Sequence, residues 1–582
     1  MYYSKLFLRL FASAALVASI SSCEVEDGKD GINGAQGEQG PKGDAGEDGQ
    51  DISPEEIDAL KARIEELIMK GDATAAEIEE AEKALAELSQ KSTEELEEAN
   101  AIIEELAAKN EASEKEVKAL MSLIESLLDK ANTVPNLLAL SADFARSVKV
   151  TPLLSSETIL AASPNFVYGS MADGAGLLKE EDGTYTFINN IEADFSIARI
   201  KLDENLKPVF GDYILNAEAT ANTAQCSGSM ITMEEHGFGP MYLSGGEWGG
   251  SSKGVFITDP YRNASEAGTA KMLTAFGQWS TENAVVIGKD AYPTQTVAFI
   301  GDDQSDNSVP QGHLGMYVGN RGDLEGGKLY TLKVSADGIV NEVDMVEGEE
   351  YTAEFVEMTE TEITALNQEA MDKGAMGFSR VEDIDWRRGT AENQRELYFA
   401  VTGRNTESLV GKGTILGRVY KVVLDETDPT GPAKITCVLD GDKVDGIADG
   451  FHSPDNILVT ENYAYIQEDP NGYADVNDDI VGFAKVYQYN LSSGELKTVL
   501  ECDQEKASNL GIGNTSRYWE LTGMIDVTDI TGSDKSQFLL ITQNHGWEPA
   551  DGSAFTDPTA NADVANSRKE GSMLYLVEGL ER

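Results

Sequence analysis

Acidic and amide side chains recur at the borders of apolar, strand-like runs in this sequence. The groups are Glu234 and Glu235 after SMITM, Asp302 and Asp303 after VAFIG, Glu382 and Asp383 in GFSRVEDIDW, Asp455 and Asn456 in HSPDNI, Glu468 and Asp469 after YAYIQ, Glu520 in YWELTGMIDV and His545 at the end of LLITQNH. Each group alone is typical of a solvated turn. Together they favour one convergent site, whose carboxylates would repel one another unless cations held them. Hard oxygen ligands of this kind suit Ca²⁺ or Fe³⁺.

The cysteines add a second type of ligand. Cys226 precedes the Glu234–Glu235 pair and is interpreted either as a metal-bound thiolate or as a buried structural thiol. Cys437, in the run AKITCVL, is expected in the core, and Cys502 has no assigned role. A disulfide between Cys437 and Cys502 would suit an exported protein. No CxxC or HxxxH spacing occurs, which argues against a structural zinc site.

Two further sets of polar residues are less specific. His236, His313 and His452 are expected in loops or behind the ligands, whereas His545 is the best histidine candidate for a ligand. Asp475, Asn477 and Asp479 alternate after Gly472 and predict either a separate Ca²⁺-binding turn or an acidic loop with a structural role.

The charge balance limits the classes of partner. The chain has 582 residues, with 102 Asp and Glu against 45 Lys and Arg, giving a net charge of −57. Nucleic acid is therefore an unfavourable partner, because its phosphates need basic surfaces. A small anion such as a phosphate ester would also be repelled, unless bound cations reverse the field around its site.

The candidate ligands need a scaffold that gathers distant strand ends. From residue 137 to 582, short strand-like runs alternate with Gly, Asp, Asn and Pro turns, as in GRVYKVVLDETDPTGPAKITCVLDGD and AKVYQYNLSSGELKTVLE. About 440 residues of this texture favour an all-β propeller over a sandwich. A propeller binds ligands at one end of its channel, on segments from several blades, so the scattered acidic groups could converge there.

These segments occur in an order that resembles the PhoX-type alkaline phosphatases. The matching stretches are QCSGSMITMEEHG, VAFIGDD, HLGMYVGNRGDLEGGKLYTLKV, FSRVEDIDW with ELYFAVTG, GRVYKVVLDE, SPDNILVTENYAYIQEDPNG and ELTGMIDVTDITGSDKSQFLLITQNH. The resemblance implies a six-bladed propeller with insertions, and a cluster of iron and calcium ions bridged by an oxo group. It also implies hydrolysis of phosphate monoesters.

The resemblance also implies roles for single residues. Cys226 would bind iron, Arg380 would grip phosphate, and Glu382 would bind metal beside it. The remaining implied metal ligands are Glu234, Glu235, Asp455, Glu468 and Asp469, with Asp302, Asp303, Glu520 and His545 as additional candidates. The chain departs from the family in two places: only SGSMITM separates Cys226 from the acidic pair, and Val381 replaces a proline. The backbone around Cys226 is therefore expected to differ.

The first 132 residues predict an anchor and a stalk. Residues 1–22 resemble an export signal, and ISSC before Glu24 resembles a lipobox that would lipidate Cys23, the alternative being ordinary signal cleavage nearby. Within residues 23–51, Gly occupies every third position from Gly28 to Gly49, which predicts a collagen-like triple helix or a flexible spacer. Residues 52–132 carry heptads that predict an α-helical coiled coil, as a trimeric rod or a hairpin bundle. A homotrimer anchored to the outer membrane of a cell envelope, with possible surface display, follows as the expectation.

Three functions are compatible with these features. The first is an anchored, metal-dependent phosphomonoesterase that uses carboxylate-bound calcium and iron. The second is a non-catalytic propeller stabilised by calcium that binds a partner. The third is another propeller hydrolase, such as a lactonase.

Overall fold

The computed structural model describes residues 134–160, 162–304, 308–470, 482–549, 551–563 and 569–582. The expected signal, Cys23, the Gly-X-Y segment, the coiled coil and the Asp475–Asp479 turn lie outside these ranges. Among the described helices, none is long and apolar enough to cross a membrane.

The described residues are organised mainly as β-strands. In chain order the strands are β1 (Leu138–Leu140), β2 (Lys149–Ser155), β3 (Ala172–Lys179), β4 (Tyr185–Ile191), β5 (Ser196–Leu202), β6 (Pro208–Leu215), β7 (Thr223–Ile231), β8 (Met241–Gly249), β9 (Gly254–Thr258), β10 (Thr281–Val286), β11 (Gln295–Asp302), β12 (Leu314–Asn320), β13 (Lys328–Val334), β14 (Glu350–Met358), β15 (Val381–Trp386), β16 (Glu396–Val401), β17 (Arg418–Val423), β18 (Ala433–Asp440), β19 (Pro454–Val459), β20 (Tyr463–Glu468), β21 (Lys485–Asn490), β22 (Leu496–Cys502), β23 (Glu520–Asp526), β24 (Gln537–Asn544) and β25 (Gly571–Glu578). Four short α-helices lie between them: α1 (Met233–His236), α2 (Ile363–Asp372), α3 (Gln504–Asn509) and α4 (Thr528–Thr531).

The strands form five sheets with antiparallel pairing. Their orders are β3-β4-β5-β6, β7-β8-β9, β1-β22-β21-β20-β19, β2-β25-β24-β23, and a nine-stranded sheet β10-β11-β12-β13-β14-β18-β17-β16-β15. The nine-stranded sheet arises because β14 pairs with β18, Ala353 lying opposite Ala433. The N-terminal strands complete C-terminal sheets, since β1 pairs with β22 and β2 pairs with β25.

Six strands form a closed ring at the centre. β3 contacts β7, β7 contacts β10, β10 contacts β15, β15 contacts β19, β19 contacts β23, and β23 contacts β3. We call these six the inner strands. Each is the first strand of its antiparallel run, and the later strands of the run extend outward, which is a propeller-like arrangement and confirms the all-β prediction.

Burial patterns explain which strands are central. Every residue of β10 and of β19 is buried, because neighbouring strands cover both of their faces. In β14, at the far side of its run, Ala353, Phe355 and Met358 are buried among exposed glutamates. The apolar layers lie between the sheets, as where the ring of Tyr465 on β20 packs against that of Phe538 on β24 with centroids 5.5 Å apart. Packing of these layers fixes the positions of the inner strands.

Candidate functional site

Each inner strand presents one acidic or thiol side chain near its beginning. These are Asp173 on β3, Cys226 on β7, Glu282 on β10, Glu382 on β15, Asp455 on β19 and Glu520 on β23. All six are buried, with at most 9% of the residue exposed. Six elements far apart in the sequence therefore deliver equivalent groups to one end of the ring.

A β-bulge accompanies each of these side chains. The pairing register shifts between Ala172 and Ala175, Gln225 and Gly228, Thr281 and Ala284, Val381 and Ile384, Pro454 and Ile457, and Thr522 and Ile525. In five of the six strands the acidic or thiol residue lies inside the shifted segment. A bulge bends a strand and redirects a side chain, so the same local irregularity turns these groups toward the channel.

Glycines on β3 and β8 let these strands approach the neighbouring inner strands at the bulges. A Cβ on Gly174 would lie 2.1 Å from the main-chain nitrogen of Gly228. A Cβ on Gly245 would lie 2.0 Å from the main-chain oxygen of Glu282. Side chains at these positions would push the bulges apart, so the missing side chains are part of the geometry.

Polar contacts link one bulge to the next. Asn283 Nδ2 donates to the main-chain oxygen of Ile384 at 3.2 Å. Asp383 Oδ2 accepts from the main-chain nitrogen of Ile457 at 3.0 Å. Asn456 Nδ2 donates to Ser227 Oγ at 2.6 Å. These cross-links hold the ligand-bearing segments at fixed separations.

Cys226 lies among carboxylates. Its Sγ is 3.1 Å from Glu247 Oε2, and ligand atoms of Cys226, Glu247 and Glu282 lie within 4.8 Å of one another. Cys226 also groups in the same way with Asp173 and Glu192. Burial and these negative neighbours raise the pKa of the Cys226 thiol well above its usual value. A thiolate here therefore requires a bound cation, and the donor set, one sulfur with four carboxylates, fits a metal ion.

The other acidic groups of the ring share this electrostatic strain. Burial raises the pKa of Asp173, Glu247, Glu282, Glu382, Asp455 and Glu520 well above the usual range, and neighbouring carboxylates raise most of them further. We define the central cluster as Asp173, Glu192, Cys226, Glu247, Glu282, Asp303, Glu382, Asp455, Asp469 and Glu520, together with Arg380. Protons or cations must neutralise these groups when they are gathered.

Arg380 is the cation of the central cluster. Its Nε and Nη2 lie 2.7 and 3.0 Å from the two oxygens of Asp303, and Nη2 lies 2.9 Å from Glu382 Oε1. The side chain is 21% exposed, whereas those of Asp303 and Glu382 are 3% and 2% exposed. A small anion entering from solvent can therefore reach the guanidinium while its carboxylate partners stay buried.

The backbone that carries Arg380 is held in an uncommon conformation. Arg380 has φ +73°, in the left-handed region that non-glycine residues rarely adopt. The main-chain nitrogen of the preceding Ser379 donates to Glu342 Oε1 at 2.8 Å, and Gly403 donates its N–H to the Ser379 oxygen at 3.0 Å. These contacts fix the direction in which Arg380 leaves the chain.

A second group of ligand atoms contains a histidine. Atoms of Asp469, Glu520 and His545 lie within 4.8 Å of one another. His545 Nδ1 lies 2.9 Å from Glu570 Oε2. Burial opposes ionisation of Glu570, but the bond from His545 and the main-chain N–H of Gly546 lower its pKa to about 2. Glu570 is thus a carboxylate that supports the imidazole.

The structure brings together most of the residues expected from the sequence. Arg380, Glu382, Cys226, Asp303, Asp455, Asp469 and Glu520 lie in the central cluster, and His545 borders it. Asp302 is buried beside it, with Oδ1 accepting from the main-chain nitrogen of Ser280 at 3.1 Å.

The expected placement of Glu234 and Glu235 beside Cys226 is corrected. Both residues are exposed on α1, and Glu235 Oε1 lies 3.7 Å from Arg388 Nε. The reason is that β7 runs away from Cys226: its five further residues span about 17 Å at about 3.3 Å per residue. Glu247 and Glu282 occupy the neighbourhood of the thiol instead.

Glu468 also differs from the expectation. It is buried, and its two oxygens accept from the main-chain nitrogens of His452 and Lys485 and from the Tyr487 hydroxyl. Burial raises the pKa of Glu468 to about 8. The described donors already use this carboxylate within its own sheet, and the neighbouring Asp469 faces the other ligands.

The disulfide between Cys437 and Cys502 does not form. Cys226, Cys437 and Cys502 are all free and buried. Cys437 lies on β18 in the apolar layer that contains Phe399 and Tyr420, and its Sγ contacts the Leu439 oxygen at 3.3 Å. Cys502 packs with Trp519 and Tyr575. The two thiols belong to different apolar layers.

Sequence reasoning missed Asp173, Glu192, Glu247 and Glu282. It looked for acidic groups mostly after apolar runs, but the inner strands carry theirs near the beginning. A usable signal exists in Glu282-Asn283, Glu382-Asp383 and Asp455-Asn456, where an acidic residue and a polar residue open an apolar run. Glu192 and Glu247 have no comparable signal.

Comparisons with known proteins agree with this architecture. The family model described as alkaline phosphatase PhoX matches residues 254–533. The structure is similar to Pseudomonas fluorescens PhoX in complex with vanadate, a transition state analogue, with a TM-score of 0.52, 13% identity, and coverage of 76% of this chain and 97% of that chain. At this identity the likeness shows the fold.

Other solved structures are more distant. The AfRom2 CNH domain has a TM-score of 0.29 at 10% identity and covers 75% of this chain and 99% of its own. The catalytic domain of a Coprinopsis cinerea GH62 α-L-arabinofuranosidase has a TM-score of 0.30 at 11% identity and covers 63% and 98%. No curated protein sequence matches the chain.

Proposed function

Because the alkaline phosphatase PhoX family model matches residues 254–533, we propose that this chain is a divergent member of that family and a metal-dependent phosphomonoesterase. One observation carries the proposal. The guanidinium of Arg380, which solvent can reach, lies against buried carboxylates that outnumber it, and a buried thiol lies among those carboxylates. The carboxylates can hold cations, and cations with a guanidinium make a site for a phosphate dianion.

The residues around Cys226 would hold the cations. Cys226 with Glu247 and Glu282, and Asp173 with Glu192, supply sulfur and oxygen donors within bonding reach of shared ions. The donor types support Fe³⁺ at the sulfur and Ca²⁺ at oxygen-only positions. When bound, such ions neutralise phosphate oxygens and lower the pKa of a coordinated water.

Arg380 would bind and orient the phosphate group. Asp303 holds Nε and Nη2 of the guanidinium, which fixes its plane. Nη2 contacts both Asp303 and Glu382, so Glu382 links the guanidinium to the acidic side chains of the inner strands. A guanidinium held in a fixed plane presents its positive charge to a phosphate oxyanion in one orientation. Binding energy would then be spent on orientation.

The test is turnover of p-nitrophenyl phosphate by the full-length protein, before and after chelation, with elemental analysis of the same preparation. We expect turnover that chelation abolishes and that iron with calcium restores. Bound calcium alone, with no turnover in any metal, would support the alternative of a calcium-stabilised binding module. Turnover of a lactone but not of the phosphate ester would support another propeller hydrolase.

We also propose six blades. The nine-stranded sheet would count as two, β10–β14 and β15–β18, joined at their outer edges, because β10 and β15 both belong to the ring of inner strands. A crystal structure with six separate sheets around the channel would support six blades, and a continuous sheet that closes without a sixth blade would contradict them.

We propose that Cys23 is lipidated and anchors the protein to the outer membrane of the cell envelope, and that residues 52–132 form a trimeric coiled coil. The support is the ISSC sequence and the heptad spacing. Labelling with a radioactive fatty acid should be lost in Cys23→Ala. Light scattering should give a trimer that becomes monomeric when residues 24–132 are removed.

A further inference from the structure

Three loops at one end of the ring carry apolar side chains that are exposed to solvent. They are the β13–β14 loop (335–349), the β16–β17 loop (402–417) and the β18–β19 loop (441–453). Strands alternate in direction along each run, so these loops lie at the end where the inner strands begin, which we call the mouth. Among the described residues, five of the eleven exposed large apolar side chains lie on these loops, namely Val340, Val346, Val410, Val444 and Ile447. We call these five the apolar ledge.

Contacts between the three loops make one continuous rim. Glu342 Oε1, on the β13–β14 loop, accepts from the main-chain nitrogen of Thr414 on the β16–β17 loop at 3.0 Å. Asp442 Oδ1, on the β18–β19 loop, accepts from a main-chain nitrogen of the β16–β17 loop at 2.8 Å. Lys443 Nζ, on the β18–β19 loop, lies 2.7 Å from Glu347 Oε2 on the β13–β14 loop. Each pair of loops is joined, so the apolar ledge belongs to one surface.

Buried residues anchor this rim from below. Met345, Leu409 and Ala448 are buried, and each is the chain neighbour of one ledge residue. In each pair, one apolar side chain packs into the protein and the other faces solvent. The ledge is therefore formed without a ligand, and a ligand that binds there has little loop ordering to overcome.

The rim is continuous with the backbone that carries Arg380. The main-chain nitrogen of Ser379 donates to Glu342 Oε1 at 2.8 Å, and the N–H of Gly403 donates to the Ser379 oxygen at 3.0 Å. Val340 is two residues from Glu342, which is at most about 7 Å along the chain. The apolar surface therefore begins beside the guanidinium that binds phosphate in the proposed function.

The charge of the rim limits what can cover the ledge. The three loops hold nine Asp and Glu against three Lys and Arg. A bilayer with anionic headgroups would be repelled, and so would a second copy of the chain, which carries the same acidic rim. An uncharged hydrocarbon chain would not be repelled, and its burial against branched apolar side chains is favourable.

We propose that the substrate is an amphiphilic phosphate monoester, whose phosphate binds at Arg380 and whose single hydrocarbon chain lies on the apolar ledge. The inference rests on the proposed function and narrows it to a substrate class. A fully buried methylene group tightens binding about fourfold. The ledge covers one side of the chain, so the gain for each methylene group is smaller than that.

The first experiment measures binding of methylphosphonate and octylphosphonate to the metal-loaded full-length protein by isothermal titration calorimetry. A phosphonate presents the oxygens of a phosphate but is not cleaved, so its binding is measured without turnover. We expect octylphosphonate to bind at least about tenfold more tightly than methylphosphonate. Equal affinities, or no binding of octylphosphonate, would overturn the proposal.

Turnover of p-nitrophenyl phosphate by the same preparation tests the proposed function separately. Absence of turnover would reject the phosphomonoesterase. Turnover together with equal phosphonate affinities would reject the amphiphilic substrate alone.

A double variant then tests the ledge itself. Val340→Ser with Val444→Ser changes two side chains that are 78% and 81% exposed, so the fold does not depend on them. The ratio of octylphosphonate to methylphosphonate affinity should fall at least about threefold. Met233→Ser is the matched control, because Met233 is exposed on α1 beyond the opposite end of β7, and the ratio should stay unchanged.

An unchanged ratio in the double variant would contradict the chain site. The same conclusion would follow if the double variant altered only sedimentation with phosphatidylcholine vesicles, or only association between copies of the chain. Those results would assign the ledge to a membrane surface or to a second copy.

Discussion

Two buried groups of arginine and carboxylates lie side by side in this protein, and they are built differently. In the Arg418 cluster, formed by Arg418, Asp440 and Glu342, the guanidinium donates to both oxygens of Asp440 at 3.1 and 2.7 Å. It also donates to the main-chain oxygens of Glu342 and Met345. In the central cluster, Arg380 stands against nine carboxylates and a thiol. The hydrogen bonds and most of the charge are compensated in the first group, and the charge of the second is not.

The difference shows that imbalance of charge, more than burial, marks a binding site. Both clusters are buried, but one arginine faces two carboxylates in the Arg418 cluster and nine in the central cluster, whose charge protein groups alone cannot neutralise. The two meet at Ser379: Glu342 Oε1 accepts from its main-chain nitrogen at 2.8 Å and from that of Thr414 at 3.0 Å. The balanced cluster therefore holds the backbone from which the arginine of the unbalanced one projects.

The sharpest test of the comparison is removal of the compensating arginine. Arg418→Met leaves Asp440 and Glu342 buried without their cation and should cost about 3–5 kcal/mol in the free energy of unfolding. Activity per folded molecule should fall much less than in Arg380→Ala, because Arg418 acts on Arg380 only through Glu342 and the backbone of Ser379. Urea unfolding of the metal-loaded protein measures the loss. Lys434→Met, which breaks an exposed pair with Glu350, should cost less than about 1 kcal/mol.

Removal of the other arginine should give the opposite pattern. Arg380→Ala should lower kcat/KM for p-nitrophenyl phosphate about 10²- to 10³-fold, or about 2.7–4 kcal/mol, because an oriented donor to the phosphate is lost. The unfolding midpoint of the metal-loaded protein should change little. Arg380→Lys should recover part of the activity. Arg262→Ala, on a surface loop, should leave kcat/KM unchanged. An Arg380→Ala enzyme with full activity would show that the two clusters do not differ in role.

The fold was predictable from the sequence where its causes are local. Short alternating runs such as AKVYQYNLSSGELKTVL contain strand, turn and strand, and they became β21 and β22. The pairing of Ala353 with Ala433 was not predictable, since it joins residues eighty positions apart through packing of whole sheets. Local pattern predicts a strand, but only tertiary packing selects its outer neighbour.

The site was predictable where a motif carries the ligand. Arg380 and Glu382 stand in FSRVEDIDW, where the family resemblance identifies them as site residues. Asp173 was missed because MADGAG gives no sign that a bulge will turn its carboxylate into the channel. Glu234 and Glu235 are misplaced because the resemblance assigns them to the family's acidic pair, whereas the extended strand β7 carries them away from Cys226. Bulges and strand direction are three-dimensional facts that residue type does not encode.

The contribution of Glu342 to the free energy of unfolding should depend on pH. Burial raises the pKa of Glu342 from 4.5 to about 7, with Ser379, Thr414 and Arg418 opposing the shift. A raised folded-state pKa means that the folded protein binds more protons than the unfolded chain between these values. The contribution of Glu342 to stability is therefore present at low pH and falls as the pH rises through 7.

Glu342→Gln should remove that dependence. The free energy of unfolding of the variant minus that of wild type should increase by at most about 3 kcal/mol from pH 5 to pH 8, since one pKa unit corresponds to about 1.4 kcal/mol. Unfolding free energies of both proteins at the two pH values measure the change. Glu357→Gln, on an exposed salt bridge with Lys328, serves as the control. An equal stability difference at both pH values would contradict the raised pKa.

The smallest expected effect concerns two buried cysteines, one in each region. Cys226→Ser should weaken iron binding at least about tenfold, or about 1.4 kcal/mol, and should remove absorption from thiolate-to-iron charge transfer. Cys437→Ser should leave both unchanged, because Cys437 contacts the Leu439 oxygen in an apolar layer beside the Arg418 cluster, where a serine hydroxyl can make the same contact. Burial raises the pKa of both thiols, so burial cannot distinguish them. Their neighbours distinguish them, because carboxylates that need a cation surround Cys226, whereas the arginine Arg418 lies beside Cys437. Unchanged iron binding in Cys226→Ser, or loss of iron binding in Cys437→Ser, would contradict the prediction that the two thiols differ in role.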